Sequence, residues 1–575
     1  MEGGVEMKSL RLPAALAALA ITATACSGGG GDDGGTSGQY PRSETLYTTG
    51  TAWGPPTSWN PMMRGQYAVG TIGLVYEPLF LFDTEAGEYI HWLAESDEWT
   101  SEDVHEITLR EGVTWTDGEP LVAEDVVTTL ELGQLDGVPY GNVWDYVESV
   151  EATDERTVTV TFSESRPQEW MNWAYSNPIV PAHIWGDMAE TDITDSANEN
   201  PVGTGSYVYE SHTDDRMVWE RNDDWWAVDA LDMDMDARYI IDIVNASNEV
   251  TMGMLNQDEV DLSNNFLPGI DQVLNSNENV TSFYDGPPYM KSANTAWLIP
   301  NLTRAPLDDT AFRQALAHAI NITEIVEGPY ANLVQPASPT GLLPEWDAYI
   351  DQELVAEEGF RYDADHAVGL LEEAGYLDED GDGFVETPDG EPIELTLEVP
   401  SGWTDWMEAA RLIESHAQAV GINVTAEFPE FDLLVDNRNA GEFDLLINNE
   451  RQLSNTPWTY YDYLFQLPVQ DQQSTVNFHR YENEEAWDLT EQLAAVPVGD
   501  TEAAAAITSQ LQEIQLQELP AIPLWYNGLW AQSTNSSWTN WPSEHEDTPN
   551  TPATLWNGWF ELGAITTLAE IEPVE

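Results

Sequence analysis

Tryptophan and asparagine are the side chains whose chemistry stands out in this sequence. The 575 residues include 24 tryptophans, against 14 phenylalanines and 18 lysines and arginines together. Core packing alone does not favour this number, because a buried indole N–H needs a hydrogen-bond partner. A sugar ring has an apolar C–H face that can lie on an indole, and its hydroxyl groups suit an asparagine amide, which both donates and accepts. The combination favours a carbohydrate ligand, with structural packing as the alternative for each single tryptophan.

Two asparagine pairs follow apolar segments. Asn264 and Asn265 come after one such run, and Asn448 and Asn449 come after the predicted strand 443–447. Ligand sites of α/β proteins form where strands end. We therefore take Asn264, Asn265 and Asn449 as candidate ligand-binding residues, with turn formation as the alternative.

Aromatic residues also flank a carboxyl group ahead of a predicted helix. Trp403 and Trp406 lie on either side of Asp405, and the helix runs from about residue 406 to 420 and ends at Gly421. The two rings and the carboxyl group are further candidates for ligand contact.

Other kinds of site have weaker support. Asp378, Asp380 and Asp382 alternate as in the first half of a calcium-binding loop. The twelfth position is Asp389 rather than glutamate, and Pro388 precedes it, which favours an acidic surface turn. The nine histidines form no ligand-spaced pair, and 103 acidic residues make paired carboxylates uninformative about a glycosidase. We predict no metal, no cofactor and no catalytic residue.

The N-terminal segment is typical of an exported lipoprotein. Lys8 and Arg11 precede an apolar run over 12–25, which is too short for a stable membrane span. Small residues lead to Cys26, the only cysteine, as in a lipobox whose thiol is lipidated. We expect residues 1–26 to be a signal peptide with lipobox and the protein to be lipid-anchored at the extracellular face of the cell membrane.

The charge of the chain excludes one class of partner. The formal net charge is −85, which excludes nucleic acid. The 42% hydrophobic content supports a packed core, so we expect no disorder beyond the flexible polar linker 27–42. Mutual repulsion among this many negative charges destabilises the folded state unless dissolved salt screens it, and this screening is strong at molar salt. We infer a salt-adapted protein.

Strand-like and helix-like segments alternate along the body, which indicates an α/β fold. Residues 155–162 have the period-two pattern of a strand. One helix is predicted to begin after Asp308 or Asp309, and another after Asp363 and to end at Gly375.

Four segments together resemble one protein family. They are Gly-Val-Thr-Trp-Thr-Asp-Gly-Glu-Pro-Leu-Val-Ala-Glu-Asp-Val-Val at 112–127, Pro-Val-Gly-Thr-Gly-Ser-Tyr at 201–207, and the helical segments 312–320 and 370–376. Their order resembles the extracytoplasmic solute-binding proteins of ABC importers, family 5. Val122 departs from the family, which usually has threonine there, so the usual helix cap is absent.

The resemblance implies a two-lobed periplasmic-binding-protein-like fold of the large family 5 type, with a hinge and an interlobe cleft. The implied arrangement is lobe I from 43 to 290, lobe II from 291 to 515, and a return to lobe I from 516 to 575. A monomer would capture its ligand in the cleft, do no chemistry, and deliver the ligand to an ABC permease in the membrane.

Further segments resemble the subgroup that binds cello-oligosaccharides and related β-glucosides. They cover 53–61, 73–80, 402–407 and 522–528. This resemblance adds Trp53, Trp525, Tyr526 and Asn527 to the candidate site and implies a small oligosaccharide ligand. A peptide ligand is the alternative within the family, and a secreted glycoside hydrolase is the alternative from another class.

Overall fold

The computed structural model describes residues 40–574, except 64–67, 85, 450, 452, 546–548, 550 and 552–561. Cys26, the predicted signal peptide and most of the predicted linker lie outside the described residues. Within the described part, the helices are too short or too polar to cross a membrane.

Strands and helices alternate along the chain. The strands are β1 Thr45–Thr49, β2 Phe80–Asp83, β3 Glu88–His91, β4 Ala94–Ser101, β5 Val104–Leu109, β6 Val147–Ala152, β7 Thr157–Phe162, β8 Tyr207–Thr213, β9 Arg216–Arg221, β10 Tyr239–Ile243, β11 Leu262–Ser263, β12 Val280–Thr281, β13 Ser292–Pro300, β14 Gln335–Pro336, β15 Leu395–Glu398, β16 Val424–Glu427, β17 Leu445–Asn448, β18 Ile522–Gly528, β19 Gln532–Thr534, β20 Trp538–Thr539 and β21 Glu572–Pro573. The α-helices are α1 Ala123–Leu132, α2 Pro167–Ser176, α3 Ala182–Trp185, α4 Glu190–Asp195, α5 Trp226–Leu231, α6 Asn248–Asn256, α7 Ile270–Ser276, α8 Thr310–Ala319, α9 Ile322–Glu327, α10 Gln352–Glu358, α11 Ala364–Ala374, α12 Thr404–Ala419, α13 Phe431–Ala440, α14 Trp458–Phe465, α15 Glu484–Ala494, α16 Thr501–Glu518 and α17 Leu562–Glu570.

Two large sheets organise the chain. A seven-stranded sheet has the order β12-β19-β11-β1-β10-β9-β8, in which β1 runs parallel to β10 and β11. A six-stranded sheet has the order β14-β18-β13-β17-β15-β16, in which β15 runs parallel to β16 and β17. A four-stranded antiparallel sheet, β4-β5-β7-β6, comes from the first half of the chain. This architecture confirms the predicted two-lobed α/β fold.

The local predictions for several elements are confirmed. In β7 the side chains alternate between half-buried and buried positions, as the period-two pattern requires. Asp309 caps α8 by accepting from the Ala311 N–H, and Asp363 caps α11 in the same way. Gly375 ends α11 in the left-handed conformation that favours glycine.

The segment 112–127 replaces its missing cap with a buried carboxylate. Val122 precedes α1 and its side chain has no acceptor atom, so the Asp125 Oδ2 atom accepts from the Val122 N–H at 2.8 Å. The same carboxylate accepts from Trp115 Nε1 at 3.1 Å and from the Ala182 N–H at 2.7 Å. One side chain therefore joins the start of α1 to the strand-like segment before it and to α3.

The glycines of the segment 201–207 allow close backbone packing. A Cβ atom at Gly203 would lie 1.9 Å from the Val75 carbonyl oxygen, and one at Gly205 would lie 2.1 Å from the Leu74 carbonyl oxygen. No larger residue fits at either position without a shift of the backbone.

The chain crosses from one large sheet to the other twice. Residues 282–291 connect β12 to β13, and residues 529–531 connect β18 to β19. The Leu529 N–H donates to the Lys291 carbonyl oxygen at 2.7 Å, so the two connections lie side by side. β18, which follows the predicted return at residue 516, pairs along β13 and belongs to the six-stranded sheet.

Candidate functional site

Most of the described tryptophans are buried. Only Trp53 and Trp403 are exposed among the tryptophans that the structure describes, at 56% and 37%. Several buried indoles have internal acceptors: the Glu77 carboxylate, itself buried, accepts from Trp92 Nε1 and Trp226 Nε1 at 2.9 Å each. The buried Nε1 atoms of Trp173, Trp219 and Trp525 have no hydrogen-bond partner among the described residues. The prediction that core packing does not account for the tryptophan content is therefore wrong for most of these residues.

The first group of candidates lies at the carboxyl ends of β1 and β11. Asn264 and Asn265 directly follow β11, and the Gly50 backbone packs against them so closely that a Cβ atom would lie 2.7 Å from Asn265 Oδ1. The Asn264 amide donates to the Trp530 carbonyl oxygen at 2.8 Å. Asn265 Nδ2 donates to Asn248 Oδ1 of α6 at 2.8 Å. Both asparagines are thus buried and make internal hydrogen bonds, which matches the structural alternative for these two side chains.

The loop after β1 reaches the end of β10 as well. The Asn245 N–H donates to the Ala52 carbonyl oxygen at 2.7 Å, next to the exposed Trp53. The Asn245 Nδ2 atom is buried and has no hydrogen-bond partner within the described part of the chain. The carboxyl ends of β1, β10 and β11 thus bring an exposed indole and an amide donor to one edge of the seven-stranded sheet.

A second group lies at the carboxyl ends of β15, β16 and β17. Trp403 follows β15 and precedes α12, Phe431 follows β16 and begins α13, and Asn449 follows β17. Trp403 and Phe431 are stacked, with ring centroids 5.8 Å apart and planes at 25°. The six-stranded sheet therefore presents an accessible aromatic pair and an amide at one edge.

Three asparagines form a cluster on the six-stranded sheet. Asn294 of β13 lies directly opposite Asn527 of β18 in the strand register. Asn449 Nδ2 donates to Asn294 Oδ1 at 3.1 Å. Asn527 is half-buried, and its Oδ1 atom has no partner among the residues described. This amide cluster offers both donors and acceptors to a ligand hydroxyl group.

A series of aromatic contacts joins the two groups. The Phe266 ring, which follows Asn265, lies 5.6 Å from Tyr330, and Tyr330 lies 5.1 Å from Trp525. Trp525 contacts Trp406 at 6.4 Å, and Trp406 contacts Trp403 at 5.0 Å. The predicted aromatic candidates on the six-stranded sheet are therefore neighbours in space.

Three of the predicted contact residues are interior side chains. Trp406 and Trp525 are 4% and 0% exposed, so neither ring has a free face for a ligand. The Tyr526 hydroxyl donates to the Leu342 carbonyl oxygen at 2.7 Å and accepts from the Ser338 N–H at 2.8 Å. These residues hold the exposed candidates in place.

Asp405 has an unusual protonation equilibrium. Burial raises the pKa of its carboxyl group to about 6. The backbone N–H groups of Asp405 and Trp406 and the nearby Tyr330 hydroxyl offset part of this rise. At neutral pH the group is mostly ionised and accepts hydrogen bonds.

The acidic loop brings its carboxyl groups together. One oxygen atom from each of Asp378, Asp380, Asp382 and the buried Glu386 lies within 4.8 Å of the others. The Asp378 carboxylate accepts from the N–H groups of Gly381 and Gly383 at 2.7 and 3.1 Å, as in an ordinary acidic turn. Asp389, at the twelfth position of the predicted loop, is not part of the cluster.

Sequence reasoning missed five residues of this region, which are Asn245, Phe266, Asn294, Tyr330 and Phe431. Asn245 and Phe431 each follow a strand, so the rule applied to Asn264 and Asn449 would have found them. The other three have no local signal, because only long-range packing brings them here.

A surface cavity of about 550 Å³ lies beside β12 and the connection that follows this strand. Its lining includes Tyr284, Tyr289, Trp541 and His545, and none of the candidate residues. The convergence of strand ends, rather than cavity size, therefore defines the candidate site.

Known structures resemble this chain over almost its full length. A crystal structure of a periplasmic oligopeptide-binding protein of an oligopeptide ABC transporter from Thermotoga maritima has a TM-score of 0.89 and 41% identity, with 93% of this chain and 100% of that chain covered. The same protein with bound mannohexaose has a TM-score of 0.86 and 41% identity, over 93% and 99% of the chains. The oligopeptide-binding protein AppA of Bacillus subtilis is 24% identical over 455 residues, which is 76% of this chain and 79% of that protein.

The sequence profile described as bacterial extracellular solute-binding proteins, family 5 Middle, matches residues 88–470, more than half of the chain. This segment contains the four-stranded sheet, the exposed Trp403 and the amide residues Asn294 and Asn449. The chain therefore belongs to the family 5 extracellular solute-binding proteins.

Proposed function

We propose that the protein captures an oligosaccharide of the cellobiose or β-gluco-oligosaccharide type and delivers it to the permease of an ABC importer. The observation that carries the proposal is the combination at one sheet edge of exposed Trp403 with the amides of Asn294, Asn449 and Asn527. An aromatic ring and amides that donate and accept suit a ring with hydroxyl groups. The mannohexaose bound to the Thermotoga maritima relative supports a carbohydrate ligand.

A peptide is the second candidate, because the relatives are described as oligopeptide-binding. Asp405 suits a peptide amine, but a peptide carboxylate needs a cation. The guanidinium group nearest in sequence to Asn449 is Arg451, which donates to the Thr475 carbonyl oxygen at 3.1 Å and lies over the Tyr463 ring. Arg304 is paired with Asp444 at 2.8 Å. This allocation of basic side chains to internal partners favours an uncharged ligand.

The ligand would bind between the two sheets and stabilise a closed form. We propose 282–291 and 529–531 as the hinge, since these segments connect the two large sheets. Residues 43–281 and 532–574 would then move against residues 292–528. Closure follows when a ligand contacts both sides and so favours one state over the other.

Lipidation of Cys26 would hold the protein at the outer face of the membrane, near its permease. Mass spectrometry of the protein isolated from its own cells tests this part. A mature N-terminus at Cys26 with an added acyl-type mass is expected, and an unmodified cysteine contradicts it.

Isothermal titration calorimetry in molar salt tests the ligand class. The titrants are cellobiose, longer β-gluco-oligosaccharides, mannohexaose and a nonapeptide. Saturable binding of a sugar without release of glucose supports the proposal. Peptide binding alone assigns the protein to the second candidate, and released glucose assigns it to the hydrolases.

Asn527→Ala tests the assigned binding site. It should weaken sugar binding by about ten-fold, because a buried ligand hydroxyl loses its partner. Asn256→Ala is the matched variant, since Asn256 is exposed on α6 and bonds only within its helix. Equal effects of the two variants would argue against the assigned site.

A further inference from the structure

The stacked pair formed by Trp403 and Phe431, here called the aromatic platform, has an accessible outer ring. Phe431 is 51% exposed, while Trp403 is 37% exposed. Trp403 is covered by Phe431 on one side, and its other neighbour is Trp406, whose plane is at 84° to it. The free aromatic surface therefore belongs mainly to Phe431.

Hydrogen bonds join the two loops that carry the platform. The Ser401 N–H donates to the Pro429 carbonyl oxygen at 2.8 Å, and Ser401 Oγ donates to Glu430 Oε1 at 3.1 Å. These bonds join the loop that carries Trp403 to the loop that carries Phe431. Loops that are joined before binding lose less conformational freedom when a ligand stacks on the rings that they carry.

The surroundings of the platform favour one kind of occupant. Glu430 and Asp432 are exposed on either side of Phe431, and their carboxylates accept hydrogen bonds but do not donate them. An anionic ligand is disfavoured here, and a second copy of a chain with a net charge of −85 is disfavoured as well. A sugar ring supplies both an apolar face and hydroxyl donors.

We propose that Phe431 forms an outer subsite that takes an additional sugar ring and so sets a preference for longer oligosaccharides. This inference rests on the proposed function and deepens it. Continuity with the site comes from Trp403, which contacts Phe431 on one side and the interior Trp406 on the other. The inner amide cluster would bind the first units, and the platform would bind a unit further along the chain.

The test is calorimetric titration of the full chain, in molar salt, with β-linked gluco-oligosaccharides of two to six units. Phe431→Ala should weaken binding of the longest ligand by about five-fold and leave the shortest ligand unchanged. Phe431→Trp should retain the length preference, because the aromatic face remains. Leu433→Ala is the matched control, since Leu433 is 54% exposed on the same helix but has no aromatic ring on which a sugar could stack.

The outcomes separate the two proposals. Equal weakening at all lengths, or no effect of Phe431→Ala on a parent protein that binds sugars, overturns the outer subsite alone. A parent protein that binds no oligosaccharide overturns the proposed function and the subsite together. Self-association that Phe431→Ala abolishes in sedimentation experiments would reassign the platform to a contact between copies. Circular dichroism of each variant verifies that it is folded.

Discussion

The Gln168 side chain of α2 donates from Nε2 to the carbonyl oxygen of Val496 at 2.8 Å. Its Oε1 atom accepts from Asn455 Nδ2 at 3.0 Å, and the residue is 1% exposed. Gln168 precedes the first connection between the sheets, whereas its partners belong to the segment between the two connections. One buried amide thus bonds two parts of the chain that the proposed hinge would separate.

Gln168→Ala should therefore disfavour the closed form. The buried partners lose hydrogen bonds that are each worth about 1 kcal/mol. We expect ligand affinity to fall by about five-fold and the radius of gyration without ligand to increase in small-angle scattering. Gln510→Ala is the control, because Gln510 is exposed and donates only to Ala506 of its own helix. An unchanged affinity would count against this contact as part of closure.

Trp403→Ala and Trp525→Ala should separate ligand contact from packing. Trp403 is exposed, so its loss should weaken ligand binding by about ten-fold and change the free energy of unfolding little. Trp525 is fully buried, so its loss should lower the free energy of unfolding by about 3–5 kcal/mol. Chemical unfolding and calorimetry measure the two effects. The reverse pattern would remove Trp403 from the site.

The Asp405 carboxyl group should make stability depend on pH. Its pKa in the folded protein is about 6, above the ordinary value of 3.8. The folded state holds the proton more tightly than the unfolded state does. The stabilising contribution of this group to folding is therefore fully present below about pH 4 and is lost as pH rises to about 6.

Asp405→Asn should remove this loss of stability at higher pH, because the asparagine side chain does not titrate. The variant should be more stable than the parent above pH 6, by up to about 3 kcal/mol, with the difference vanishing near pH 4. Urea unfolding at a series of pH values measures this difference. A difference that does not vary with pH would mean that Asp405 is not held in the described environment.

The net charge of −85 should make folding depend on salt. Screening acts over about 3 Å at 1 M salt and over about 30 Å at 0.01 M. Dialysis from molar to millimolar salt should therefore unfold the protein, as circular dichroism would detect. An unchanged spectrum in dilute buffer would contradict the proposed adaptation to salt.

Local signals in the sequence predicted much of the fold. The caps Asp309 and Asp363, the αL residue Gly375 and the alternation in β7 act within a few residues of the chain, and all were found. Asn264 and Asn449 directly follow β11 and β17, and the apolar segment before each asparagine was the local signal for these strands.

Partners that are distant in sequence account for what could not be predicted. The tryptophan content was misinterpreted because the acceptors of the indole N–H groups, such as Glu77, come from other segments. Tyr330 joins Phe266 to Trp525 only through tertiary packing. The pairing of β18 with β13 in the six-stranded sheet spans more than 200 residues and leaves no local pattern in the sequence.

In the proposed hinge, the hydrogen bond from the Leu529 N–H to the Lys291 carbonyl oxygen joins the two connecting segments. Two adjacent connections that are bonded to each other would favour bending about one common axis over twisting or sliding. Ligand release from such a hinge would require a single rotation rather than a search over many orientations. A permease that meets the closed protein would accordingly encounter one shape of its surface, and the open protein would present another.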